Sequence, residues 1–96
     1  MSAIDPESRI NLSKATIIVI DGSRHSLDVI EQILNGCGVA TVQRHRQLAD
    51  ANKTLNRKAI DLIIIDPCLE DGAGYTFIKD LRHTTGPNAF TPVILV

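Results

Sequence analysis

The chain has 96 residues, a formal net charge of −1, 44% hydrophobic residues and only 3% aromatics. That is one small domain, whose core has to be built from Ile, Leu, Val and Ala. The near-neutral balance supplies no electrostatic reason for nucleic-acid or membrane binding, and the longest apolar runs are far too short to span a bilayer.

Residues 1–14 read as a flexible polar leader, in which Asp5-Pro6-Glu7 can cap one helical turn. Residues 15–96 read as the domain. Thr16 to Ile20 is the first strand. Ser23 can cap a helix that runs to about Asn35, with Leu27, Ile30, Ile33 and Leu34 inward, and Gly36 and Gly38 stop it. Val39 to Gln43 reads as the second strand. A second helix spans about Gln47 to Arg57, with Leu48, Ala51 and Leu55 inward. Ile60 to Asp66 is the third strand, and a third helix begins near Gly74 with Phe77, Ile78 and Leu81 as its buried stripe. His83 to Pro92 is a polar loop punctuated by Gly and Pro. Val93 to Val96 is the fourth strand. It is fully apolar and reads as an interior strand, so either the molecule continues beyond residue 96 or another chain covers this edge.

Alternation of strands and helices at this spacing predicts βαβ units, a parallel sheet and right-handed crossovers. The third strand is a run of pure aliphatics, Leu62 to Ile65, that ends in Asp66 and a loop. Such a run reads as a buried central strand, and open α/β sheets bind ligands at the C-terminal tips of their strands. The first strand ends the same way in Asp21. Two carboxylates at one sheet edge suit a hard divalent cation and phosphoryl chemistry.

Other residues read as structural. Cys37 and Cys68 are too few and too far apart for a disulfide framework or a zinc site. The start does not resemble a signal peptide, so a reducing cytoplasm is the expected compartment. Arg44, His45 and Arg46 read as a solvated strand end. Arg24 reads as a first-turn residue in solvent, with pairing to Asp66 as the alternative. Glu70 and Asp71 read as loop-surface charge, with a reach back to the acidic pocket as the alternative. No Gly-x-Gly-x-x-Gly follows the first strand, which argues against a dinucleotide or flavin site.

Ile17 to Asp21, Asp61 to Asp66, Gly74 eight positions after Asp66, and Thr91-Pro92-Val93-Ile94-Leu95-Val96 together resemble the receiver domain of bacterial two-component response regulators, especially single-domain regulators of the chemotaxis type. The match covers residues 15–96. It implies a flavodoxin-like α/β fold with sheet order 2-1-3-4, without the fifth strand and last helices of a full receiver. It implies that Asp66 accepts a phosphoryl group from a histidine kinase or a histidine phosphotransfer protein and that the domain then switches partner binding. It implies Mg²⁺ held by Asp21, Asp66 and the backbone carbonyl of Cys68, and no enzymatic activity beyond self-catalysed phosphoryl transfer. The sequence departs from the pattern at Gly22, which stands where the family carries a second acidic residue, and at Pro67 and Glu70-Asp71. Gly22 weakens the expected Mg²⁺ binding. The switch Ser/Thr and the essential Lys of the family fall beyond Val96. The alternative is a degenerate receiver that acts as a dimerisation or docking module, with the fourth-strand edge as the homodimer surface.

Overall fold

The computed structural model describes residues 12–96. Most of the expected leader, including Asp5-Pro6-Glu7, lies outside the described residues.

The elements run β1 (Thr16–Ile20), α1 (Arg24–Gly36), β2 (Thr41–His45), α2 (Leu48–Arg57), β3 (Leu62–Ile65), α3 (Leu69–Arg82) and β4 (Val93–Leu95). The four strands form one parallel sheet in the order β2-β1-β3-β4, the flavodoxin-like arrangement. β1 is apolar on both faces because helices cover both. Ile18 and Ile20 point into a core shared with Leu48, Ala51 and Leu55 of α2 and Leu81 of α3. Ile17 and Val19 point the other way, into a core with Leu27, Ile30 and Leu34 of α1. The period of two along β1 thus assigns α1 to one face and α2 and α3 to the other.

Two expectations need correction here. β2 begins two residues later than its hydrophobicity suggests. Val39 serves the end of α1 instead. Gly38 adopts φ 96°, its N–H donates to Asn35 O, and Val39 N donates to Leu34 O. That is a Schellman motif, whose C″ residue packs against the last helical turn, and Val39 is buried in one core with Leu34. Ile33 is 59% exposed rather than inward, at the margin of the buried stripe. β4 pairs with β3 alone among the described strands, and Ile94 and Leu95 are about half exposed.

α3 also starts earlier than Gly74. A first turn forms at Leu69, and Glu70 (φ 53°), Asp71 (φ 60°) and Gly72 (φ 91°) then pass through the left-handed region before the regular helix resumes. Phe77, Ile78 and Leu81 do form its packed stripe.

The loop before β4 is held by a residue that the sequence pattern passes over. Asn88 is 1% exposed. Its Oδ1 accepts from Ile60 N at 2.8 Å and Thr91 Oγ1 at 3.0 Å, and its Nδ2 donates to Leu55 O and Lys58 O at 2.7 Å each. A buried amide with every donor and acceptor used ties the end of α2, the start of β3 and the α3–β4 loop together.

Candidate functional site

The register of the sheet sets the site. Ile20 pairs with Ile65 across β1 and β3, and Asp66 N donates to Ile20 O at 2.9 Å. Asp21 and Asp66 are the next residues on each strand, so they stand side by side at the C-terminal edge. On the other flank Ile20 pairs with His45, and Asp21 N donates to His45 O at 3.1 Å. Asp21 is buried and Asp66 half-buried.

Both aspartates close the same local turn. Asp21 Oδ1 accepts from Ser23 N at 2.8 Å, and Asp66 Oδ1 accepts from Cys68 N at 2.9 Å. Each is an Asx-turn, which fixes one carboxylate oxygen and orients the side chain. Among the described residues, Oδ2 of each makes no hydrogen bond. After Asp21 the chain enters α1 directly, because Ser23 Oγ caps Ser26 N at 3.2 Å. After Asp66 it meets Gly74, where a Cβ would lie 2.8 Å from Pro67 Cα and O and 2.9 Å from Asp66 O. Only glycine lets α3 lie this close to the backbone that carries Asp66.

The acidic pocket is built on two carboxylates, Asp21 and Asp66. Gly22 contributes no carboxylate, and its carbonyl accepts from Arg46 Nε at 3.1 Å. The Cys68 carbonyl accepts from Gly72 N at 3.1 Å as the first turn of α3. Among the described residues, no group of three or more His, Cys, Asp or Glu side chains could hold a metal ion. Two adjacent carboxylates with a free oxygen each still fit Mg²⁺, which commonly takes one or two carboxylates and completes its shell with waters and phosphate oxygens.

The remaining candidates separate. Arg24 makes no bond to Asp66 and is exposed. Glu70 does not reach the pocket: its Oε2 accepts from Leu48 N at 2.8 Å, and so caps α2, whose own N-cap Gln47 makes no side-chain cap bond. The three residues of the basic cluster go three ways. Arg44 pairs with Asp28 at 2.8 Å and Glu31 at 2.9 Å on α1. His45 Nε2 shares a 3.0 Å hydrogen bond with Thr54 Oγ1 on α2, and burial holds its pKa below the ordinary histidine value against the opposing charge of Asp50. Arg46 lies on the rim of the site. With β2 placed two residues early, Arg46 falls well past the strand; in the observed register it flanks Asp21. Cys37 and Cys68 are both free and exposed.

A cleft of about 310 Å³ opens beside Asp21, lined by His25, Ser26, Val29, Ile30 and Val96. A second, of about 340 Å³, lies between α2 and α3, and its lining includes neither aspartate. No helix among the described residues is long and apolar enough to cross a membrane.

Comparison with solved structures gives close fold matches. The MaeR response regulator bound to beryllium trifluoride is 29% identical, with a TM-score of 0.75 over 85% of this chain and 66% of that one. A mutant MaeR response regulator bound to sulfate is 30% identical, with a TM-score of 0.74 over the same shares. The chemotaxis response regulator CheY4 of Vibrio cholerae is 22% identical, with a TM-score of 0.76 over 84% of this chain and 66% of that one, which speaks for the fold alone. The chain spans just under two thirds of each of these proteins. No curated protein matches it. The model of the response regulator receiver domain matches residues 17–96, the stretch that carries both strand-tip aspartates and Gly74, and the chain belongs to that family.

Proposed function

We propose that Asp66 accepts a phosphoryl group from a phosphohistidine on a histidine kinase or a histidine phosphotransfer protein, and that the resulting acyl phosphate switches binding to a partner in the cytoplasm. The observation that carries this is the register of β1 and β3, which sets Asp21 beside Asp66 at the ligand-binding edge of the sheet. With Oδ1 held by Cys68 N–H, Oδ2 of Asp66 is the attacking oxygen. It forms a bond to phosphorus as the phosphorus–nitrogen bond of the donor breaks. The imidazole nitrogen keeps the electron pair and takes a proton from solvent.

Mg²⁺ would be held by Asp21, Asp66 and the second lone pair of the Cys68 carbonyl. When bound, it supplies positive charge to the incoming phosphoryl oxygens. Gly74 lets α3 pack directly on the backbone that carries Asp66, which positions the carboxylate for reaction. The protein is then a signalling receiver rather than an enzyme with turnover.

Gly22 favours a second reading, a phosphorylation-independent docking module that pairs through the half-exposed β4 edge. Intact mass after incubation with a small acyl phosphodonor and Mg²⁺ separates the two. The phosphoacceptor reading expects the mass of one added phosphoryl group, lost in Asp66→Asn. No added mass overturns it in favour of docking, and equal labelling of Asp66→Asn overturns the assignment to Asp66.

A further inference from the structure

Beyond its bond to the Gly22 carbonyl, Arg46 has no part in the site described above. It follows β2 by one residue, and the pairing of Ile20 with His45 carries it alongside Asp21. The C-terminal edge of the sheet therefore reads Arg46, Asp21, Asp66 across three neighbouring strands. The side chain is anchored at one point, from Nε to the Gly22 carbonyl at 3.1 Å. Among the described residues it makes no ion pair. Asp28 and Glu31 are taken by Arg44, and Glu70 by Leu48 N.

A guanidinium has five N–H donors in a planar fork that matches phosphate oxygens. One is used at Gly22, and the N–H groups of Nη1 and Nη2 stay available. Arg46 starts two strands from Asp66, and its anchor on the Gly22 carbonyl draws the guanidinium toward the tip of β1, the strand that neighbours β3. The residue at its anchor is glycine. A carboxylate at that position would neutralise Arg46, whereas a backbone carbonyl holds it and brings no counter-charge of its own. The rim thus exchanges one negative side chain for a positive one.

Resting on the phosphoacceptor reading of Asp66, we propose that Arg46 is an anion-positioning residue of this receiver: its Nη groups bind oxygens of the phosphoryl group carried by Asp66. Charge that a third carboxylate would bring in through a bound cation is here partly supplied by the chain itself. Phosphoryl binding is accordingly less dependent on Mg²⁺ than the two-carboxylate pocket alone implies.

The test uses the full chain and beryllium fluoride, a mimic of the phosphoryl group, with binding read by fluorine NMR with and without Mg²⁺. Arg46→Gln is the informative variant, because its amide can still donate to the Gly22 carbonyl but carries no charge. Arg46→Lys restores the charge without the fork. The expected result is a Kd for beryllium fluoride raised at least tenfold in Arg46→Gln and partly recovered in Arg46→Lys. The unfolding midpoint and the Mg²⁺ affinity of the fluoride-free protein should not fall. Wild-type affinity in Arg46→Gln overturns the role of Arg46 alone. A wild-type chain that binds no beryllium fluoride overturns the phosphoacceptor reading and the role of Arg46 with it.

Discussion

The loops after β1 and after β3 begin alike and end differently. Each opens with an aspartate whose Oδ1 accepts from the backbone N–H two residues on. In the first, the third residue is Ser23, a good cap, and α1 starts at once with ordinary dihedrals. In the second, the third residue is Cys68, which makes no side-chain cap bond. The chain there runs through three left-handed residues before α3 becomes regular. Glu70 and Asp71 are not glycine, and each left-handed residue of this kind costs roughly 1–2 kcal/mol. Part of that cost is offset by the bond from Leu48 N to Glu70, which satisfies an orphan donor at the start of α2. The first loop is locally self-sufficient. The second is held by other parts of the molecule, and it is the one that carries Asp66.

The largest break of this comparison should come from the two glycines. Gly74→Ala places a methyl group 2.8 Å from Pro67 backbone atoms that have nowhere to go. It should cost about 1–3 kcal/mol, read as a lower urea midpoint. Gly22→Ala meets only Leu69 Cδ1 at 3.0 Å, the end of a flexible side chain. Its cost should stay below about 1 kcal/mol. Equal costs would show that the second loop is not braced by α3 as described.

The caps sharpen the comparison further. Ser23→Ala and Glu70→Ala should each lose about 1 kcal/mol, since each removes one acceptor from a helix N-terminus. The two acceptors serve different helices and share no partner. The double variant should therefore lose the sum to within about 0.5 kcal/mol. A large departure from additivity would mean that the loops communicate through the pocket even without a phosphoryl group.

The smallest effect concerns pH. Burial lowers the pKa of His45, whose carbonyl holds Asp21 N. The folded pKa is thus below the unfolded value of about 6.5. Above that value the imidazole is neutral in both states and has no effect. As pH falls below it, the unfolded chain takes up the proton first, and stability declines until the folded pKa is passed. Unfolding midpoints should fall between pH 7 and pH 5 more in the wild type than in His45→Gln. An equal fall in both would remove His45 from the account.

What the amino-acid order determined by itself was most of what depends on local period and on helix N-caps. The aliphatic runs of β1 and β3, the stripe of Leu48, Ala51 and Leu55, and Ser23 as a cap are legible because each rests on neighbours within one or two turns. Two strands ending in aspartate, in a βαβ chain, also imply one acidic edge, since parallel strands share a direction. The tertiary structure decided where the pattern allowed two readings and where partners lie far along the chain. Val39 could serve a strand or a helix end equally well, and the Schellman bonds to Leu34 and Asn35 decided it. That choice moved β2 by two residues and brought Arg46 to the rim of the site. Asn88 lies in a stretch whose composition says only loop, yet its four partners are 3 to 33 residues distant. Glu70 acquired its role from Leu48, 22 residues away. Polar side chains with distant backbone partners leave no periodic trace in a sequence, because hydrogen bonds are matched by position in space and not by spacing along the chain.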